Sequence, residues 1–165
     1  MSVSLPALIL LVFLVVQRLC ELLLSGRNTR RLLAKGATEY GAGHYPYMIG
    51  LHGAWFAALA WFGIGQILSF PWLAVFVALQ AMRVWIICSL GSRWTTRIIV
   101  LPAPLVTTGP FAWVKHPNYL LVIAEIFTVP MIFGLPTVAA IFSALNAAML
   151  TVRISAEEAA LAQWR

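Results

Sequence analysis

Aspartate is absent from this 165-residue chain, and five glutamates are its only acidic side chains. Charged residues of both signs make up 10% of it, against about 25% in soluble domains. With 62% hydrophobic residues and a mean hydropathy of +0.91, a water-soluble globule is excluded. Cysteine is scarce too. Cys20 and Cys88 each sit in an apolar run, which excludes a disulfide framework and a cysteine-based metal motif. The chain has no Walker loop, no G-x-G-x-x-G and no G-x-S-x-G, so kinase, ATPase, soluble Rossmann and serine hydrolase readings lose their signatures. No internal repeat or low-complexity tract divides it, and one domain over residues 1–165 is expected.

What is present is an excess of positive charge: eleven Lys and Arg give a net +6. Lacking a polar surface to carry it, that excess points to membrane topology and away from nucleic acid. A helix needs about 20 apolar residues to cross a hydrocarbon core of roughly 30 Å. Cutting the chain at its charges, prolines and glycines predicts five spans: Leu5 to Leu24, Tyr45 to Gly65, Pro71 to Leu90, Pro117 to Phe133 and Pro136 to Ile154. The first lacks the basic start and small-residue cleavage site of a signal peptide and is read as a retained helix. So little chain separates the last two that a tight helical hairpin is expected.

Arg27, Arg30, Arg31 and Lys35 lie between spans one and two, Arg93, Arg97 and Lys115 between three and four, and Arg153 and Arg165 after the fifth. With the N-terminus outside, all nine face the cytoplasm, and residues 1–4, 66–70 and 134–135 on the other face carry no charge. The expected fold is therefore all-α: a polytopic membrane bundle of five helices with a cytoplasmic C-terminus. Arg18 and Arg83, toward the inner ends of their spans, are expected to snorkel to that interface. Glu21, three residues after Arg18, is read as its partner.

Chemistry concentrates in the inner connector from Gly91 to Tyr119. Trp94, Phe111 and Trp113 suit an aromatic belt, and Arg93 and Arg97 suit the phosphates of membrane lipids. Pro117 opens a helix whose free N–H groups make an anion site beside Lys115 and His116. Glu125 is an ionisable group at membrane depth, which marks either function or a charge partner such as Arg83 or Arg153. Arg153 and Glu157 stand at i and i+4 with Glu158 beside them, the spacing of a helical ion pair. His44 and His52, eight residues apart, share a helix face with no carboxylate or cysteine at ligand spacing, so no metal site is expected.

The run G-P-F-A-W-V-K-H-P-N-Y (109–119), then Glu125 and R-I-S-A-E-E (153–158), resembles the isoprenylcysteine carboxyl methyltransferase family of integral membrane enzymes. The preceding L-G-S-R-W-T-T-R-I-I-V-L-P looks like its bacterial branch, and the N-terminal half is similar to members associated with type III polyketide synthases, which methylate alkylpyrones or alkylresorcinols. The resemblance implies S-adenosylmethionine as methyl donor, a polyketide synthase pathway partner, a place in a bacterial inner membrane, and a cofactor-binding connector facing the cytosol. Positions matching the motif are Gly109, Pro110, His116, Pro117, Tyr119, Glu125, Arg153, Glu157 and Glu158. Lys115 stands where Arg is usual, keeping the charge but losing bidentate recognition. The family's longer tail is missing here, so the pocket is either more open or closed by residues 28–45.

The implied reaction is methyl transfer to an oxygen (carboxylate, enol or phenol) of a lipophilic acceptor reaching the site from the bilayer. Such a transfer needs in-line approach and a dry site. An enol or phenol also needs a base, for which His52, His44 and Glu125 are candidates. Arg153 is expected on the cofactor carboxylate and Glu125 with Glu157 on its cationic groups, all in one polar cluster. Rival readings are an NADPH-dependent sterol-type reductase, which shares a G-P-x-x-x-x-R-H-P-x-Y run, and a non-enzymatic small membrane transport or interaction protein.

Overall fold

The computed structural model describes residues 3–162. In chain order α1 spans Leu5–Ala34, β1 Thr38–Tyr40, α2 Tyr45–Gly63, α3 Phe70–Leu90, β2 Ile98–Val100, α4 Pro117–Ile132 and α5 Pro136–Leu161. Each helix opens on a proline in its first two positions: Pro6, Pro46, Pro71, Pro117 and Pro136. There the missing N–H is an unpaired donor in any case, and the ring presets the helical φ. Pro130 withdraws a donor near the end of α4, and Gly134, at φ +66°, turns the chain into α5.

Three helices are long and apolar enough to cross a membrane: Leu5–Ala34, Phe70–Arg93 and Pro136–Leu161. Residues 117–132 form a shorter apolar helix, about 24 Å long at 1.5 Å per residue. The core lies at the end of the bundle away from β1 and β2, where Leu10, Leu14, Trp55, Leu59, Phe76, Val129 and Phe133 pack together. At that end Ser4 N–H donates to the Ile64 carbonyl (2.9 Å) and Ser69 N–H to the Ile132 carbonyl (2.8 Å), satisfying helix ends across elements. Val16, Leu23, Val77 and Ile141 stay exposed, so the helices are apolar outside as well as inside.

Helix boundaries differ from expectation at two places. α1 does not stop at Leu24 but absorbs most of the basic linker, because Ser25, Asn28, Thr29 and Leu32 form a buried face at i, i+3, i+4 and i+7. Asn28 Nδ2 donates to the Trp94 carbonyl (2.8 Å), and Ser25 Oγ accepts from the Thr96 N–H (2.8 Å), so helix and connector hold each other. α5 likewise runs past Ile154 to Leu161. The antiparallel pairing of β1 with β2, Thr38 opposite Val100, was not expected in an all-α chain. It forms because Ile98 and Val100, both β-branched, bury against Ala160 of α5. Arg165 lies outside the described residues.

Candidate functional site

The bundle, the connector and the ribbon enclose a cavity of about 540 Å³. Toward the ribbon its wall is charged and polar, with Arg93, Thr96, Arg97, Lys115, His116, Tyr119, Arg153 and Glu157. Toward the middle of the helices it is mainly apolar, with Leu22, Ile49, Phe56 and Val122 around His52, Asn146, Arg18 and Arg83. Leu32 of α1 and Ile98 to Leu101 of the connector also line it, so the segment around residues 28–45 backs this wall through the ribbon.

α4 and α5 pack side by side, which brings the start of one against the end of the other. His116 Nε2 bonds to Glu158 (2.7 Å), and its Nδ1 lies 3.7 Å from Glu157. Tyr119 donates its hydroxyl to Glu157. The Arg153 guanidinium sits 5.8 Å from the centre of the Tyr119 ring, a cation–π arrangement, and donates to the Thr96 carbonyl (3.0 Å). Arg153 is 5% exposed and lines the cavity, so its charge is held at this wall. The expected i, i+4 pair is replaced: Glu157 turns to Tyr119 and His116, and Arg153 to the connector.

A second polar cluster lies deeper. Arg83 of α3, 4% exposed, donates Nε (3.0 Å) and Nη2 to Glu125 and Nη1 (3.0 Å) to Glu21. Gln80 Nε2 adds a bond to Glu125 (3.0 Å), and Arg18 Nη1 one to Glu21 (2.9 Å). Two arginines and two glutamates thus neutralise each other across α1, α3 and α4. Arg83 therefore does not snorkel outward. Glu125 is also not in the cluster of Arg153 and Glu157: it lines a small adjoining void, while Arg18 and Arg83 line both.

His52 lines the large cavity, and its Nδ1 bonds the Met48 carbonyl (2.9 Å). A carbonyl only accepts, so Nδ1 carries the proton and Nε2 keeps its lone pair. His44 packs instead on Gly41, where burial and the positive charge of Arg153 hold its imidazole below the usual histidine value.

Of the positions singled out by sequence, His52, Lys115, His116, Pro117, Tyr119, Arg153 and Glu157 line the cavity, and Gly109, Pro110, Glu125 and Glu158 do not. Gly109, at φ +61°, packs so tightly that a Cβ would lie 2.5 Å from Ser89 Oγ; its role is to seat the connector on α3. Glu158 lies behind the wall, bonded to His116. Sequence reasoning missed Asn146 and Thr96, and an amide interrupting an apolar span was the available signal for Asn146.

The cavity thus has a fixed guanidinium, a carboxylate and aromatic rings at one end and an apolar wall at the other, the mixed lining usual for small-molecule sites. Residues 72–163 match the isoprenylcysteine carboxyl methyltransferase (ICMT) family, and the chain belongs to it. It is 39% identical over 166 residues to the "Uncharacterized protein YpbQ" of Bacillus subtilis (strain 168), covering 94% of this chain and 96% of that protein. It is also 30% identical over 151 residues to an "Uncharacterized protein" of Haemophilus influenzae, covering 87% and 88%. No solved structure matches. The family is one of membrane methyltransferases, and its members use S-adenosylmethionine. The donor set fits that group: Arg153 suits a carboxylate, Glu157 an ammonium, and the volume lies within the usual range for ligand pockets of about 300–1,000 Å³.

Proposed function

We propose that this chain is an S-adenosylmethionine-dependent methyltransferase acting on an oxygen of a lipophilic acceptor drawn from the bilayer. One observation carries the reading: the family motif residues Lys115 to Tyr119, Arg153 and Glu157 line the same cavity as the apolar wall of Leu22, Ile49 and Phe56. When bound, the cofactor supplies a methyl group on a sulfonium, a good leaving group that needs no covalent help.

The chain binds, orients and dries. Arg153 holds the carboxylate of the methionine moiety and Glu157 its ammonium, with Tyr119 and His116 fixing the Glu157 carboxylate. The apolar wall excludes water and seats the acceptor tail. Where the acceptor is an enol or phenol, His52 takes its proton on Nε2, because Met48 fixes the other nitrogen as the donor. The ribbon, braced on α5 through Ile98, Val100 and Ala160, covers the cofactor end. All five helices cross the membrane, in this reading, with the N-terminus outside and the motif end facing the cytosol of a bacterial cell. Alkylpyrones and alkylresorcinols are acceptors of the right chemistry.

Titration calorimetry on the purified chain tests this. S-adenosylmethionine is expected to bind, NADPH not, and His116→Ala and Tyr119→Phe to weaken binding without unfolding. NADPH binding in place of S-adenosylmethionine would overturn the reading in favour of a reductase.

A further inference from the structure

All five acidic side chains of this protein are spoken for. Glu21 and Glu125 hold Arg83 and Arg18, Glu39 holds Arg97 (2.9 Å), and Glu157 and Glu158 meet Tyr119 and His116. Arg27, Arg30, Arg31 and Lys35 are all exposed on the last turns of α1 and at its end, and none of the ion pairs among the described residues includes them. Their spacing puts the three arginines on one side of the helix, opposite the buried face of Ser25, Asn28, Thr29 and Leu32. No side-chain acid of the chain is left to answer them.

Their level along the helix says what does. The apolar run of α1 ends at Leu24, about 20 residues after Leu5, enough to cross the hydrocarbon. At 1.5 Å per residue Arg27 stands about 4 Å beyond that edge and Arg31 about 10 Å, within reach of a headgroup layer roughly 5–8 Å thick. Lys35 lies farther out, still close enough to feel the surface potential.

The geometry points to a binding site for anionic phospholipid headgroups on this face of α1, with the Arg27, Arg30 and Arg31 guanidinium groups on lipid phosphate and Lys35 flanking them. The opposite face bonds to Gly91, Trp94 and Thr96, and Leu32 lines the cavity, so headgroups that fix this helix also fix the wall beside Arg153. The site is independent of the chemistry proposed above, and its test uses no methyl donor.

The full chain is placed in nanodiscs of phosphatidylcholine alone or of phosphatidylcholine with phosphatidylglycerol, and its thermal midpoint is read in each. The midpoint should rise by a few degrees in the anionic discs and lose most of that rise in high salt. A variant carrying Arg27→Gln, Arg30→Gln, Arg31→Gln and Lys35→Gln should melt alike in both discs, and one with Lys at the three arginine positions should keep much of the response. Equal midpoints for the native chain in both discs would overturn the proposal. So would an undiminished response in the Gln variant, or an equal rise produced by inorganic phosphate added to phosphatidylcholine discs.

Discussion

Glu125→Gln separates a structural role for the deep cluster from a catalytic one. Glu125 is 7% exposed and accepts from Arg83 through two nitrogens and from Gln80 at 3.0 Å. Glutamine keeps the shape but removes one of two acids facing Arg18 and Arg83, leaving a buried net charge of about +1. Breaking a buried ion pair from one side costs about 3–5 kcal/mol. Glu21 still lies 3.0 Å from Arg83 and the amide retains an acceptor, so the low end, about 3 kcal/mol, is expected. For a chain of this size that is a fall of about 6–12 °C in melting temperature. Scanning fluorimetry in mild detergent reads it, and the double variant Glu125→Gln with Arg83→Gln, neutral again, should lose less than the single one. S-adenosylmethionine affinity of the folded single variant should stay near native. An unchanged melting temperature with lost affinity would contradict the separation of the two clusters and return Glu125 to the cofactor.

Arg153→Ala should weaken S-adenosylmethionine binding by about 1.5–3 kcal/mol, or roughly 10- to 150-fold by calorimetry, with Arg153→Lys falling between; native affinity would remove it from the site. Gly53 lines the cavity and a Cβ there meets nothing within 4 Å, so Gly53→Phe should fold, bind cofactor normally and lose turnover of long-chain acceptors first. Equal loss with short and long acceptors would place the tail elsewhere. Reporter fusions at Tyr40, Leu68 and Leu105 should read inside, outside and inside; a cytosolic signal at Leu68 would break the five-span topology.

Helices were legible because their signals are local. Prolines mark every start, and apolar runs of the required length show three long apolar helices directly. The extension of α1 was not legible, since its charges read as a linker and its helical face is revealed only by the connector that Ser25 and Asn28 bond. The ribbon was hidden for the same reason: three-residue strands gain their stability from a partner 60 residues away and from Ala160. In the site, a motif of contiguous residues such as Lys115 to Tyr119 located one wall of the cavity. Sequence offered Glu125 two cations, Arg83 and Arg153, and it is the packing of α3 on α4 that decides between them.

Methyl-labelled S-adenosylmethionine, incubated with the purified chain and a lipid extract of its native membranes, addresses the proposed reaction itself. Label should pass into the organic phase on a discrete lipophilic product, and Arg153→Ala should abolish the transfer while Glu158→Gln reduces it less. Label retained wholly in the aqueous phase with every lipid fraction, from a folded chain that binds the cofactor, would contradict methyl transfer to a membrane-borne acceptor.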